Sequence, residues 1–144
     1  MATRDQLLAT ALEFVERIDK GESKSIIDIR GENCQHEVGP PCMGVAEPMS
    51  NEQYKSWWEE FVPKIWPNGM RFYLDSTRAP VIDERSRHVV LYCKSRASSY
   101  KGEYEGRYIM NLTISEDGKK VDDIVEFLDS KTALDYSVKA LQTA

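Results

Sequence analysis

Among the residues that could carry chemistry, His36 is distinguished by the stretch around it. In residues 32–38, Cys34, His36 and Val38 alternate with polar side chains. If this stretch is extended, a period of two places His36 on the apolar, inward side. An imidazole can accept and donate a proton near neutral pH, which predicts a general acid or base here. The alternative interpretation is a core histidine satisfied by structural hydrogen bonds.

A carboxylate at the edge of an aromatic helix is the second candidate. Residues 54–65 carry an apolar stripe that includes Trp57, Phe61 and Ile65, and Glu60 flanks this stripe. A carboxylate beside tryptophans is predicted to be partly desolvated, and therefore a better general acid or base than one in water. The alternative is a solvated surface glutamate.

Helices are predicted in the first half of the chain. Capping boxes at residues 3–6 and 50–53 predict two helix starts, and Gly21 predicts the end of the first helix. A shorter helix is predicted between them, from Ser23 to Arg30. Pro63 is predicted to kink or end the helix that starts after residue 50.

Strands are predicted in the second half, followed by a closing helix that Asp129 and Ser130 can cap. Helices are therefore segregated from strands, which predicts an α+β fold. Because the helices can cover only one face of a sheet, we expect a strongly curved sheet with its concave face on the helices. The main strands are predicted at residues 70–79, 88–97, 104–115 and 121–128.

The strands are apolar on both faces. Ile109 lies on the opposite face of its strand from Tyr108 and Met110, and Phe127 lies on the opposite face from Leu128. An uncovered apolar sheet face is a liability for a monomer. We therefore expect a homodimer that pairs through the outer face of the sheet.

Composition bounds the remaining possibilities. The chain has 144 residues, 41% of them hydrophobic, and we expect one domain spanning 1–144. A net charge of −5 without a basic stripe argues against a nucleic-acid partner. We expect no signal peptide, no membrane partner and a cytoplasmic protein with three reduced cysteines. Two distant histidines and no Cys-x-x-Cys motif argue against a metal site.

The pattern of motifs resembles a known superfamily. The element order, the inward His36 and the ending Val-Glu-Phe-Leu-Asp-Ser at residues 125–130 resemble nuclear-transport-factor-2-like proteins, and among them the SnoaL-like polyketide cyclases. More narrowly, residues 2–8, 34–36 and 43–44 are similar to small fungal isomerases and cyclases of meroterpenoid biosynthesis. The resemblance covers nearly the full length of the chain.

The resemblance implies a fold and an activity. The fold is a curved mixed or antiparallel β-sheet cone packed on three N-terminal helices, with a C-terminal helix. The implied activity is a cofactor-free, dimeric isomerase or cyclase that rearranges a hydrophobic terpenoid-polyketide by acid/base steps. Alternatives are a non-catalytic binding or scaffold module of the same fold, and a polyketide dehydratase or cyclase.

The resemblance also suggests further site residues. Asp129 matches an acidic residue that serves in acid/base chemistry near the last strand, although an N-cap role is the alternative. Glu126 competes for the same role and is also a candidate for substrate binding. Arg107, or a tyrosine hydroxyl, would stabilise a developing enolate or alkoxide. Further candidates for binding a small hydrophobic substrate are Met43, Tyr54, Trp58 and Arg71.

Overall fold

A computed structural model describes residues 1–99 and 102–143 of the chain. The helices are α1 (Arg4–Lys20), α2 (Ser23–Asp28), α3 (Asn51–Ile65) and α4 (Ser130–Thr143), with one 3-10 turn at Pro41–Met43. The strands are β1 (Arg30–Gly39), β2 (Met70–Leu74), β3 (Val81–Asp83), β4 (His88–Ser99), β5 (Gly102–Ile114) and β6 (Val121–Leu128).

Six strands form one curved, unclosed mixed sheet, which confirms the predicted α+β fold. The strand order is β1-β6-β5-β4-β2, and β3 also pairs with β4. The β1–β6 pair is parallel, whereas the other pairs are antiparallel. This parallel pair places the first strand of the chain beside the last.

Helix starts follow the local sequence. Thr3 and Ser50 form the predicted capping boxes with Gln6 and Gln53, and each box satisfies two backbone N–H groups. Gly21 ends α1 in the left-handed conformation that glycine adopts without steric cost.

Some element boundaries differ from the predictions. Helix α2 ends at Asp28, so Arg30 becomes the first residue of β1 rather than a helical residue. Helix α3 continues past Pro63 to Ile65. Strand β2 ends at Leu74, because Asp75 starts a turn in which its carboxylate accepts from the backbone N–H of Thr77. The predicted turn at Tyr100 and Lys101 lies outside the described residues, as do the side chains of Val138 and Leu141.

The two faces of the sheet have different environments. On the inner face, even-numbered β5 residues such as Met110 and Leu112 are buried against helices α1 and α3. On the outer face, odd-numbered residues point away from the helices, and Ile109 and Phe127 remain 44% and 52% exposed. The helices thus cover only the inner face.

Candidate active site

The inner face encloses a cavity of about 450 Å³ between the sheet, α3 and α4. Most of its wall is aromatic or aliphatic, which suits a hydrophobic ligand. Aromatic side chains come from α3 and from the strands, and methionines come from the loop after β1 and from β2 and β5. The main lining residues are Met43, Met49, Tyr54, Trp57, Trp58, Phe61, Trp66, Met70, Phe72, Tyr104, Tyr108 and Met110.

Glu126 supplies the charge in this cavity. Among the described lining residues it is the only one with an ionisable carboxylate or a cationic group. Strand β6 places it on the inner face between Ile124 and Leu128, and its side chain is 17% exposed. A lone carboxylate in an apolar cavity can accept a proton from a bound molecule.

His36 lies behind Glu126. Its side chain is fully buried, and it is not one of the cavity-lining residues. Its Nε2 lies 2.8 Å from Glu126 Oε1, and its Nδ1 lies 3.0 Å from Nη1 of Arg30. Strand β1 pairs with β6 in parallel, and this pairing joins residues separated by 90 positions. His36 therefore contacts the carboxylate without facing the cavity.

These contacts determine where the imidazole proton sits. A guanidinium is always charged and can only donate, so Arg30 Nη1–H donates to His36 Nδ1. The ring proton must then be on Nε2, which donates to Glu126 Oε1. The contact is thus a hydrogen bond from a neutral imidazole to a carboxylate, and the order is Arg30, His36, Glu126.

Burial supports the same protonation state. Desolvation lowers the pKa of His36 most strongly, and the Arg30 charge lowers it further, whereas the hydrogen bond and charge of Glu126 oppose the shift. A protonated ring would also carry an N–H at Nδ1, and this N–H would face the N–H donor of Arg30 with no acceptor between them. His36 is therefore neutral near pH 7.

Arg30 is held by aromatic rings. It is only 4% exposed, and its Cζ lies 4.0 Å from the ring centroid of Tyr54 and 5.7 Å from that of Phe14. Its Nε and Nη2 have no hydrogen-bond acceptor among the described residues, so these cation–π contacts are its main compensation there. Tyr54 also stacks on His36 with ring centroids 4.6 Å apart. Burial raises the pKa of Tyr54 to about 12.

The loop after β1 covers part of the cavity. Met43 and Val45 line it, and Met49 returns to β1 through two backbone hydrogen bonds with His36, each 2.9 Å long. The loop is thus anchored at the residue that holds Glu126.

Three hydroxyl groups meet on the sheet side of the site. Ser95 Oγ lies 2.7 Å from the Tyr108 hydroxyl oxygen, which lies 3.3 Å from that of Tyr104. Both tyrosines line the cavity.

Four of the predicted residues line the cavity, namely Met43, Tyr54, Trp58 and Glu126. The indole N–H of Trp58 donates to the carbonyl of Gly21, 3.0 Å away, which fixes the ring between α1 and α3. Three of these side chains are aromatic or thioether walls, and the fourth is the carboxylate.

Two predicted carboxylates lie elsewhere. Glu60 is exposed on α3, whereas Trp58 is buried. Each residue rotates a helix by about 100°, so these two side chains, two positions apart, point in nearly opposite directions. Asp129 is exposed at the start of α4, where its oxygens accept from the backbone N–H and the hydroxyl of Thr132. Asp129 therefore follows the N-cap alternative, and neither carboxylate lines the cavity.

The two predicted arginines also lie outside the cavity. Arg107 is exposed on the outer face of β5, because odd-numbered residues of that strand point away from the helices. Arg71 is exposed beside buried Phe72 and forms a two-bond ion pair with Asp19, at 2.8 and 3.1 Å. That pair lowers the pKa of Asp19. Neither arginine is placed to bind a molecule in the cavity.

The sequence analysis missed Arg30 and Ser95. The sequence analysis predicts Arg30 as the last residue of a helix, whereas in the structure it starts β1 and is buried like Cys34 and His36. Alternation could not have shown this, because Glu32 is exposed and the pairing register shifts between Arg30 and Gln35. Nothing local distinguishes Ser95 in β4 from its neighbours. In the described part of the chain, no cluster of three or more potential metal ligands occurs and no helix is long and apolar enough to cross a bilayer.

Comparisons with known proteins place the chain among fungal biosynthetic proteins. No family model matches it. "Austinoid biosynthesis clusters protein H" of Penicillium brasilianum is 31% identical over 130 residues, which are 90% of this chain and 87% of that protein. "Austinoid biosynthesis clusters protein J" of Emericella nidulans is 28% identical over 131 residues, which are 89% of this chain and 77% of that protein.

Solved structures show the same fold. AusH from Aspergillus nidulans superposes with a TM-score of 0.83 and 30% identity, over 90% of this chain and 88% of that chain. The BvnE pinacolase from Penicillium brevicompactum superposes with a TM-score of 0.87 over 99% and 98% of the two chains. Because its sequence identity is 24%, that second match shows the fold alone.

Proposed function

The chain belongs to the SnoaL-like family of fungal meroterpenoid biosynthesis proteins, and we propose that it is a cofactor-independent isomerase or cyclase that moves protons on a polycyclic terpenoid-polyketide intermediate. The observation that carries this proposal is the single carboxylate of Glu126 in an otherwise apolar cavity of about 450 Å³. A closed, fully packed interior would favour a scaffold role instead.

Glu126 is the proton acceptor in this proposal. Its Oε1 is occupied by His36, and no hydrogen bond to its Oε2 is formed by the described residues. Oε2 can therefore take a proton from a bound molecule and return it at another position. A transfer of this kind changes no mass, and it moves a double bond or opens and closes a ring.

His36 and Arg30 are positioning residues. The Nε2–H of His36 donates to the carboxylate of Glu126, and Arg30 holds His36 in the tautomer that can do so. This hydrogen bond also fixes the direction of the carboxylate toward the cavity. Neither residue needs to exchange a proton with the substrate.

The wall of the cavity fits a bulky apolar substrate. Its surface is large and hydrophobic with few polar groups, and is formed in part by Trp57, Trp58, Trp66 and several methionines. Met43 and Val45 on the loop after β1 would close over such a substrate and exclude water from Glu126.

The test replaces Glu126 by Gln. Glutamine keeps the shape and can still accept from His36 Nε2–H, so the variant should fold. We expect its turnover to fall by roughly 10²- to 10⁴-fold, because the proton acceptor is lost. The assay incubates the protein with intermediates made by the neighbouring biosynthetic genes, and mass spectrometry and NMR identify an isomeric product.

Glu60→Gln is the matched control, since it makes the same chemical change at an exposed residue of α3. It should retain the turnover of the wild-type protein. Wild-type turnover in Glu126→Gln would exclude the proposed role of this carboxylate. Wild-type protein that binds the intermediates and converts none would favour the scaffold alternative.

We also propose that the protein forms a homodimer through the outer face of the sheet. Strand register places Tyr92, Ile109 and Phe127 side by side on β4, β5 and β6. Ile109 and Phe127 are 44% and 52% exposed. A row of this kind across three strands gives a continuous apolar surface, which is typical of the centre of a protein interface.

A further inference from the structure

A second pocket of about 480 Å³, which we call the rear pocket, opens at the surface between the end of α1, helix α3 and the turn before β2. Much of its lining is polar or exposed, and this part consists of Asp19, Lys20, Gly21, Ser23, Glu59, Pro63, Pro67 and Gly69. Trp58, Val62, Trp66 and Met70 line the rear pocket and the cavity alike. These four residues, which we call the shared wall, therefore separate the two spaces by the thickness of one side chain.

The two tryptophans of the shared wall are held in place. Trp58 donates its indole N–H to the carbonyl of Gly21, 3.0 Å away. Trp66 stacks on Tyr104 with ring centroids 4.4 Å apart. Each tryptophan is 8% exposed. Because either indole would lose these contacts if it turned aside, the two rings form the rigid part of the wall.

Met70 is the adjustable part of the wall. It begins β2 and pairs with Ala97 on β4. The carboxylate of Asp19 holds the next two residues, since it accepts from the guanidinium of Arg71 and from the backbone N–H of Phe72, each at 2.8 Å. The backbone of Met70 is thus fixed, whereas its unbranched thioether has three rotatable bonds and adapts to its surroundings.

Met70 and Glu126 lie at opposite corners of the inner face. They are on β2 and β6, three strands apart, which is about 14 Å across the sheet. Register places Glu126 beside Met110, and Met70 beside Ala97, which pairs with Tyr104. Six residues of β5 separate Tyr104 from Met110, which is about 20 Å along the strands before curvature shortens the distance. A ligand that reaches Glu126 at one end therefore points its other end toward the shared wall.

We propose that Met70 limits the length of the ligand that the cavity accepts. Its side chain closes the cavity toward the rear pocket, so the substrate is a compact polycyclic molecule without a long chain at the end remote from Glu126. This inference rests on the proposed function, since that function places the reacting end of the substrate at Glu126. A ligand with a long chain would have to displace the Met70 side chain and extend into the rear pocket.

Loss of the Met70 side chain would join the two spaces. Val62, the remaining aliphatic residue of the wall, is short and stiff at χ1, so it cannot cover the gap. A chain that passes through the gap would bury methylene groups against Trp58 and Trp66. Each buried methylene group strengthens binding about fourfold. The variant should therefore favour the ligands that the wild-type protein excludes.

The test measures the binding of saturated steroid ketones that share one ring system and differ in the chain at one end, with androstane, pregnane and cholestane skeletons. Quenching of tryptophan fluorescence reports binding, because Trp57, Trp58 and Trp66 line the cavity. The quantity compared is the ratio of cholestane to androstane affinity. We expect Met70→Ala to raise this ratio roughly tenfold or more over wild type. Comparing one ratio in two proteins removes the difference in hydrophobicity between the ligands.

Met70→Leu is the matched control, since it nearly conserves side-chain volume and should keep the wild-type ratio. Val62→Ala opens the wall beside Met70, should raise the ratio in the same direction, and decides the question if Met70→Ala does not fold. Glu59 lines the rear pocket and is not one of the cavity-lining residues. Adding Glu59→Trp to Met70→Ala should therefore refill the rear pocket and return the ratio toward wild type.

The outcomes separate this inference from the proposed function. Binding requires no proton transfer, so Glu126→Gln should keep the wild-type ratio while it loses turnover. An unchanged ratio in folded Met70→Ala would overturn the role of Met70 and leave the role of Glu126 standing. Wild-type turnover in Glu126→Gln together with a raised ratio in Met70→Ala would do the reverse. Failure of the androstane compound to bind the wild-type protein would also overturn the inference.

Discussion

The inner and outer faces of the sheet come from the same strands but hold different polar groups. On β5 the inner face carries Tyr104, Gly106 and Tyr108, whereas the outer face carries Glu105 and Arg107. The outer charges are exposed, and Glu105 pairs with exposed Arg96, 3.2 Å away. A surface pair of this kind contributes little, about 0–1 kcal/mol.

Polar groups on the inner face are few, buried and linked. The Nε2–H of His36 is committed to Glu126, and the hydroxyls of Ser95, Tyr104 and Tyr108 bond to one another. A polar interaction is stronger where water is excluded, and an unmatched group is costly. On β5, the buried polar groups therefore lie on the inner face, while the fully charged side chains lie on the exposed outer face.

Outside the cavity, the largest expected effect is on the outer face, at Phe127. Replacing this exposed aromatic residue by Lys places a charge in the proposed interface of both subunits. An aromatic residue at an interface centre contributes about 2 kcal/mol or more, so we expect the dimer to weaken by at least about 30-fold. Sedimentation velocity across a concentration series measures this directly.

Leu12→Lys provides the control for Phe127→Lys. Leu12 is 38% exposed on α1, away from the outer face, and its replacement should leave the dimer unchanged. A wild-type protein that sediments as a monomer at every concentration, or a Phe127→Lys variant that dimerises like wild type, would refute the interface.

The next effect is the pH dependence of stability that buried His36 on the inner face should cause. Burial lowers the pKa of His36 below its ordinary value of 6.5, so the unfolded chain binds a proton that the folded chain does not. The free energy of unfolding should therefore fall as pH drops below about 6.5, by up to about 1.4 kcal/mol per pH unit. Urea unfolding at about pH 7.5 and about pH 5.5 measures the change.

His36→Gln should flatten this pH dependence even if the variant is less stable at both pH values. His88→Gln is the matched control, since His88 is the other histidine of the chain and lies at the start of β4, bonded to Ser86 and Thr113. It should retain the acid sensitivity. An equal slope in His36→Gln and in wild type would contradict the neutral, buried state assigned to His36.

Local sequence patterns predicted the elements well, because each rests on neighbouring residues. The two capping boxes and the left-handed Gly21 form as predicted. Alternation in β1 placed His36 on the buried face correctly. These features need no knowledge of distant parts of the chain.

The partner of His36 could not be predicted in the same way. It depends on the parallel pairing of β1 with β6, which brings Glu126 to His36 across 90 positions. Arg107 was a candidate because the resemblance implies a pocket on the concave side of the sheet. Both faces of β5 carry apolar residues, so alternation alone does not show which face is concave. Glu60 was favoured because the aromatic stripe was drawn too wide, since Trp57 is itself 38% exposed.

The smallest expected effect is at Asp129. It distinguishes a carboxylate that only caps a helix from one that transfers protons. This residue caps α4 through Thr132, whose backbone N–H and hydroxyl lie 3.3 and 2.9 Å from its oxygens. Asp129→Ala should lower the free energy of unfolding by about 1 kcal/mol, because an N-cap is lost, and should retain turnover. Thermal or urea unfolding and the turnover assay give the two readings.

Asp129→Asn makes the distinction sharper. Asparagine caps a helix about as well as aspartate but cannot take up a proton near neutral pH. If Asp129 only caps α4, Asn should preserve both stability and turnover. If it transferred protons, Asn would preserve stability and abolish turnover. Because Asp129 is exposed and outside the cavity that Glu126 lines, the structure predicts the first result.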